Sequence, residues 1–257
     1  MKNLKIEISN KTCIVSINRL KNLNAINLDL LIELKEVLTQ YQNSKQIRTM
    51  ILTGEGEQAF IAGADIKSMS KMSSQQAYDF SKLGNDITLM MDQYPKPIIA
   101  AINGYALGGG CEFAMACHIR FASENAMIGQ PETGLGLIPG FGGTQRLPRI
   151  VGLTNAYNLL LSGQSINAME AKRIGLVSDV FNQSELLDRT VKFAEKINKN
   201  SPFSSKIIIE AINMGVHLNL QEALEIESQY FKKVFKSENK NIGIESFLNK
   251  IKPEFID

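Results

Sequence analysis

Tryptophan is absent from the 257 residues, and only two histidines, His118 and His217, are present. The first absence removes the residue most used to stack on sugar rings, although Tyr and Phe can substitute. The second leaves few openings for a histidine-based nucleophilic triad. Three cysteines, Cys13, Cys111 and Cys117, form an odd and scattered set, which fits free thiols in a reducing compartment rather than a disulfide framework. Cys111 and Cys117 on one helix with His118 next to them are poorly spaced for tetrahedral ligation, so no metal is expected. No run approaches the ~20 apolar residues of a membrane-spanning helix, and the first residues alternate like a strand, without a signal-peptide core. An excess of one charge is also missing: 28 Lys and Arg face 26 Asp and Glu. With no basic block, nothing points to nucleic acid. Together these absences lead to the expectation of a soluble cytoplasmic protein with neither a nucleic-acid nor a membrane partner.

What is present is an ordinary globular composition, 44% hydrophobic and 21% charged, on a chain long enough for a sizeable core. Residues 4–8 and 12–18 alternate and read as a hairpin. Residues 27–42 carry a helical stripe, residues 49–53 a strand, and residues 60–67 a tight turn into a short helix. A helix over 75–93 is stopped by Pro95 and Pro97. Strands over 98–102 and 119–122 follow. From Gly142 onward the pattern is helical (143–150, 153–162, 167–174, 183–199, 203–216, 219–236 and 240–250), with one strand over 176–181. No linker or sequence repeat divides the chain.

The chain is organised around residues 103–146. Asn103-Gly-Tyr-Ala-Leu-Gly108-Gly109-Gly110-Cys111-Glu112 joins an apolar strand to a helix. At such a turn the backbone comes close to a ligand, and the helix-start N–H groups point outward. Phosphate fits poorly. No Lys-Ser or Lys-Thr follows the glycines as a Walker loop requires, and Gly140-Phe-Gly142-Gly143-Thr-Gln145 breaks the dinucleotide fingerprint at Gln145. An oxyanion hole remains, with a carbonyl oxygen gaining charge at the helix start. Two nearby carboxylates, Glu112 and Glu132, strengthen that reading.

Phe60–Met69, Asn103–Glu112, Gly129-Gln-Pro-Glu132 and Ile138–Leu147, in this order, resemble the enoyl-CoA hydratase/isomerase (crotonase) family, and the similarity runs from Val15 to Phe247. The resemblance implies an α/β fold: a crotonase-like spiral of strand–strand–helix units over 1–197, then a C-terminal helical region over 198–257 used in trimerisation. It implies a homo-oligomer, a trimer or a dimer of trimers (a hexamer), and a place in fatty acid metabolism.

The implied activity is reversible syn hydration of a short-chain trans-2-enoyl-CoA to the 3-hydroxyacyl-CoA, a hydro-lyase reaction. Coenzyme A is part of the acyl-CoA thioester substrate and no separate cofactor is implied. Hydration needs donors for the thioester oxygen and carboxylates that hold water and move protons. By resemblance the donors are the amides of Ala64 and Gly109. Glu132 is assigned the C2 proton, and Glu112 the water that adds to C3. Ala62, Ala64, Asp65, Ile66 and Lys67 would cradle the CoA, with Lys21 and Lys67 offering cations to its phosphates and Asp65 also reading as a helix cap. Gly140 is a further candidate amide donor near the water, Gln130 a support for the Glu132 loop, and Phe141 a wall of the acyl pocket. Three positions depart from the family pattern. Leu20 stands where a proline is common, His118 where an Asp is usual, and no basic residue follows Phe255, so a phosphate contact from the tail would fall to Lys250 or Lys252. Phe247 would pack near the adenine. The competing readings are an enoyl-CoA delta-isomerase or another crotonase-fold acyl-CoA enzyme, a two-carboxylate glycosidase, and an inactive scaffold or RNA-binding paralogue.

Overall fold

The computed structural model describes all residues, Met1–Asp257. Two sheets carry the core. The first has six strands in the order β1 (Leu4–Ser9), β2 (Thr12–Ile17), β3 (Thr49–Gly54), β5 (Ile98–Ile102), β7 (Ile119–Ser123) and β10 (Asp179–Phe181). The second has four, β4 (Ala59–Ala62), β6 (Tyr105–Leu107), β8 (Met127–Gly129) and β9 (Ser165–Asn167). Only the β1–β2 and β8–β9 pairs are antiparallel. Three successive segments each give one strand to the first sheet and the next strand to the second (β3 then β4, β5 then β6, β7 then β8). After β4 and β6 helices return the chain to the first sheet, because parallel neighbours need a crossover; after β8 a helix leads first to β9 in the second sheet, and another to β10. This is the strand–strand–helix spiral that the sequence implied.

The central strands are buried on both faces. Every residue of β3 and β5 is buried, which accounts for their unbroken apolar runs. Helix α1 (Leu28–Tyr41) starts at Asn27, whose side chain accepts the Leu30 N–H. It buries Leu30, Leu31, Leu34, Val37 and Leu38, the stripe at helical spacing. A four-residue helix, α2 (Ile66–Met69), precedes α3 (Ser74–Asp92), which opens with a capping box between Ser73 and Gln76. Helix α4 (Gly109–Ala116) is buried at every residue.

The remaining helices are α5 (Gly143–Ser162), α6 (Ala168–Arg173), α7 (Gln183–Asn198), α8 (Pro202–Gly215), α9 (Leu220–Phe235) and α10 (Glu238–Leu248). The two helices expected over 143–150 and 153–162 form one stretch broken at Gly152 (φ 77°). The strand expected over 176–181 shortens to Asp179–Phe181, because Leu176 and Val177 enter the core from a turn. Helix α7 lies on the first sheet with Leu186 and Ala194 in a small second core. Helices α8 to α10 expose Ile208, Ile212, Phe231, Phe235 and Phe247, and no helix of the chain is long and apolar enough to cross a membrane. His118, the departure from the family pattern, is structural: Nδ1 accepts from the Ile98 N–H at 2.9 Å and Nε2 lies 3.2 Å from the Asp92 carbonyl. Burial lowers its pKa to about 4, so the ring stays neutral.

The start of α4 passes so near β4 that a Cβ at Gly110 would lie 2.0 Å from the Ile61 carbonyl oxygen. Gly110→Ala must displace main chain, which costs roughly 3 kcal/mol. The thermal midpoint should fall by about 6–10 °C. A midpoint equal to wild type in a calorimetric scan would show that the contact is not close.

Candidate active site

The site lies in a cleft of about 340 Å³ whose walls come from the turns after β4 and β6, the start of α4, the turn after β8, and the segment before α5. Ala62, Ala64, Ile66, Gly109, Glu112, Glu132 and Gly140 all line it, with Phe80, Leu137 and Phe141 supplying apolar wall. The structure thus brings together both glutamates and both amides that the sequence singled out.

The amides of Ala64 and Gly109 have no partner within the chain. Ile26 donates to the Gly63 carbonyl and accepts from the Asp65 N–H, so the Ala64 N–H, between them, points to the opposite side, where the cleft lies. Gly109 is the first residue of α4, where no side chain caps the helix. Its N–H is one of the free donors every helix start leaves, and the helix dipole adds positive potential there. Gly108 turns the chain into this helix with φ 50°, and a Cβ on it would lie 2.7 Å from Glu132 Oε1. Only glycine satisfies both the conformation and the space.

Glu112, 1% exposed, is the one charged residue of a wholly buried helix. Its Oε1 accepts two peptide N–H groups, from Phe141 at 2.7 Å and Gly143 at 2.6 Å. Gly142, at φ 103°, bends the segment so that both reach the same oxygen. No buried side-chain oxygen lacks a partner, so Oε2, which takes no bond within the protein, is the atom that reaches the cleft. Burial raises the Glu112 pKa to about 7; the two N–H groups oppose the rise and the Glu132 charge adds to it. Glu132 sits in a 3₁₀ turn, Pro131–Leu135, and burial raises its pKa as well. The buried Gln130 side-chain amide faces Glu132; turned so that its nitrogen points there, it reaches both carboxylate oxygens at 3.0 and 3.1 Å.

Asp65, Lys21 and Lys67 do not line the cleft. Asp65 caps α2 through the Ser68 N–H and pairs with Arg19 at 3.1 Å. Lys21 and Lys67 are exposed and form no ion pair. Gly140 lines the cleft with no partner within the chain for its N–H; its carbonyl is engaged by Ser81 and Asn85, and the amides on Glu112 belong to Phe141 and Gly143. Those two donors were not singled out in the sequence; the adjacent Gly142-Gly143 pair was the available signal. Arg146 was missed too. It donates to the Phe141 carbonyl at 3.0 Å and pairs with Asp92 through Nε at 3.0 Å. No three His, Cys, Asp or Glu side chains converge as metal ligands.

A family model described as Enoyl-CoA hydratase/isomerase matches residues 7–257. The chain belongs to the enoyl-CoA hydratase/isomerase family. It is 45% identical over 254 residues to a short-chain-enoyl-CoA hydratase of Clostridium acetobutylicum, covering 99% of this chain and 97% of that protein. It is 42% identical to a crotonyl-CoA hydratase of Syntrophomonas wolfei, covering 99% and 98%. An enoyl-CoA hydratase structure from Bacillus anthracis superposes with a TM-score of 0.96 at 39% identity over 98% of each chain. In this family member, as in that solved relative, the fold is the crotonase spiral.

The raised Glu112 pKa predicts how stability depends on pH. The folded chain binds the Glu112 proton more tightly than the unfolded one, so stability falls as pH rises from about 4.5 to about 7. The loss is at most about 3.5 kcal/mol, at roughly 1.4 kcal/mol per pKa unit. Glu112→Gln should flatten that part of the profile in urea titrations, and an unchanged slope would contradict the assignment.

Proposed function

We propose that this chain catalyses the reversible syn hydration of short-chain trans-2-enoyl-CoA to 3-hydroxyacyl-CoA, as a hydro-lyase. One observation carries the reading: a buried glutamate, a half-buried one and two unpaired, helix-start or turn amides face a single, largely apolar cleft. The activities for which the relatives are named, short-chain-enoyl-CoA and crotonyl-CoA hydration, support the reaction and the chain length.

In this mechanism the thioester oxygen sits between the Ala64 and Gly109 N–H groups. Glu112 is ionised, Glu132 is protonated, and a water lies between them. The water oxygen attacks C3 while Glu112 Oε2 takes one of its protons. The C2=C3 electron pair moves into the enolate, whose oxygen the two amides stabilise; removing one such donor typically costs about 3 kcal/mol. Glu132 then delivers its proton to C2, and both additions occur on one face. The two carboxyls have exchanged protonation states, and the next water relays the proton back. Raised pKa values in both groups suit this exchange near neutral pH. The reaction needs no group beyond the coenzyme A of its substrate.

Lys21 and Lys67, exposed near the mouth-forming segments, would meet the CoA phosphates. The apolar residues exposed on α8 to α10 support a homo-oligomer, a trimer or dimer of trimers, built on residues 198–257 beside a spiral core of 1–197. Three unpaired buried thiols fit work in the reducing cytoplasm.

Loss of the enoyl-thioester absorbance of crotonyl-CoA measures the reaction directly. Glu112→Gln and Glu132→Gln should each lower kcat by about 10³-fold or more while CoA binding persists. Wild-type turnover in either variant would defeat the proposal.

A further inference from the structure

The face of α3 turned toward the segment before α5 is polar at helical spacing. Ser81 Oγ donates to the Gly140 carbonyl at 2.5 Å, and Asn85 Nδ2 donates to the same oxygen at 3.0 Å. Thr88 Oγ1 donates to the Phe141 carbonyl at 3.2 Å, and Asp92 pairs with Arg146. These residues fall at i, i+4, i+7 and i+11, one stripe of the helix. Between them Gly84 leaves room for the Phe141 ring, which a Cβ there would meet at 2.1 Å. The Gly140 carbonyl and the Phe141 N–H belong to one peptide group, and that N–H donates to Glu112 Oε1 at 2.7 Å.

We infer that Ser81 and Asn85 are positioning residues for Glu112: by holding the Gly140 carbonyl they aim and polarise the peptide whose N–H grips the carboxylate. Two donors on a carbonyl make the attached N–H a stronger donor, since linked hydrogen bonds polarise one another. The peptide plane is also fixed, because rotation about it would break both bonds at once. The effect on the carboxylate is electrostatic. A weakened or misdirected N–H stabilises the ionised form less, so Glu112 would hold its proton to higher pH. The charged groups acting on Glu112 are Glu132 across the cleft and Arg146 on α5; on α3, Asp92 is paired with Arg146, and the neighbouring Cys111 thiol is pushed up by burial and stays neutral. Removing either Ser81 or Asn85 leaves all of these in place. The catalytic consequence rests on the proposed role of Glu112 in activating water; the consequence for its proton affinity does not.

The test pairs two profiles over about pH 4–9 for Ser81→Ala, Asn85→Ala and the double variant: stability in urea, and turnover of crotonyl-CoA. The descending part of the stability profile should extend upward by about half a pH unit to one unit, the acid limb of kcat should move with it, and kcat at neutral pH should fall about threefold to tenfold with KM within about twofold. Ser81→Thr, which keeps the hydroxyl, should restore both profiles. In a Glu112→Gln background the same substitutions should leave no pH-dependent difference. Lys82→Ala, exposed and paired only with Asp86 on the same helix, should move neither profile. A uniform loss of stability or activity with both profiles unshifted would overturn the inference. A shifted stability profile in a chain that does not hydrate crotonyl-CoA would uphold it and defeat the activity proposed above.

Discussion

The site depends on where four peptide N–H groups point. Two, from Phe141 and Gly143, converge on one oxygen of a buried carboxylate. Two others, from Ala64 and Gly109, are left over by the local backbone and face the cleft. Peptide N–H groups carry no titratable proton at working pH, and secondary structure holds their direction, so they keep their field when water leaves the site. An ionisable glutamate inside a wholly buried helix would otherwise be costly. Here the two donors at the start of α5 offset part of that cost and leave its pKa near neutrality.

The close packing around the glycines follows from the same requirement. To bring the α4 start within reach of the Ala64 turn, β4 and α4 must touch through main chain, and Gly110 sits at that contact. To bring the segment before α5 over Glu112, the Phe141 ring must enter α3 at Gly84. There it meets Phe80 edge to face at 5.3 Å and Phe113 at 6.0 Å. The aromatic cluster and the hydrogen bonds on the Gly140 and Phe141 carbonyls anchor the same few residues from two sides. The spiral supplies the frame: each turn gives a strand to both sheets, and the cleft opens where the turns after β4, β6 and β8 meet.

Much of this was legible in the sequence. The long helices and the buried strands β3 and β5 follow from periodicity and apolar runs, with ends displaced by a residue or so. The short strands β6, β8 and β9 did not, because three residues carry no period and their pairing is set by distant partners. The glycine run read correctly as a strand-to-helix turn with free amides, but the membership of Glu112 and Glu132 in one site came from family resemblance. The apolar and glycine neighbours of both, Cys111 and Phe113 and then Pro131 and Gly134, suggest partial burial, but they do not say that the two carboxyls share a cleft. Gly140 illustrates the remaining limit. The sequence located the right loop, and Gly140 does line the cleft; which amides of that loop also grip the Glu112 carboxylate is decided by the direction of successive peptide planes, and residues 141 and 143 supply them. The stripe from Ser81 to Asp92 reads as an ordinary polar helix face until α5 is laid against it.

The carbonyl stretch of an isotope-labelled saturated thioester, butyryl-CoA, bound to the protein tests most directly whether the free amides hold the substrate oxygen. Butyryl-CoA has no double bond to hydrate, so infrared difference spectra report binding alone. Two N–H donors aimed at the oxygen should move the stretch to lower frequency than in water. A bound thioester that absorbs at or above its frequency in water would contradict the account.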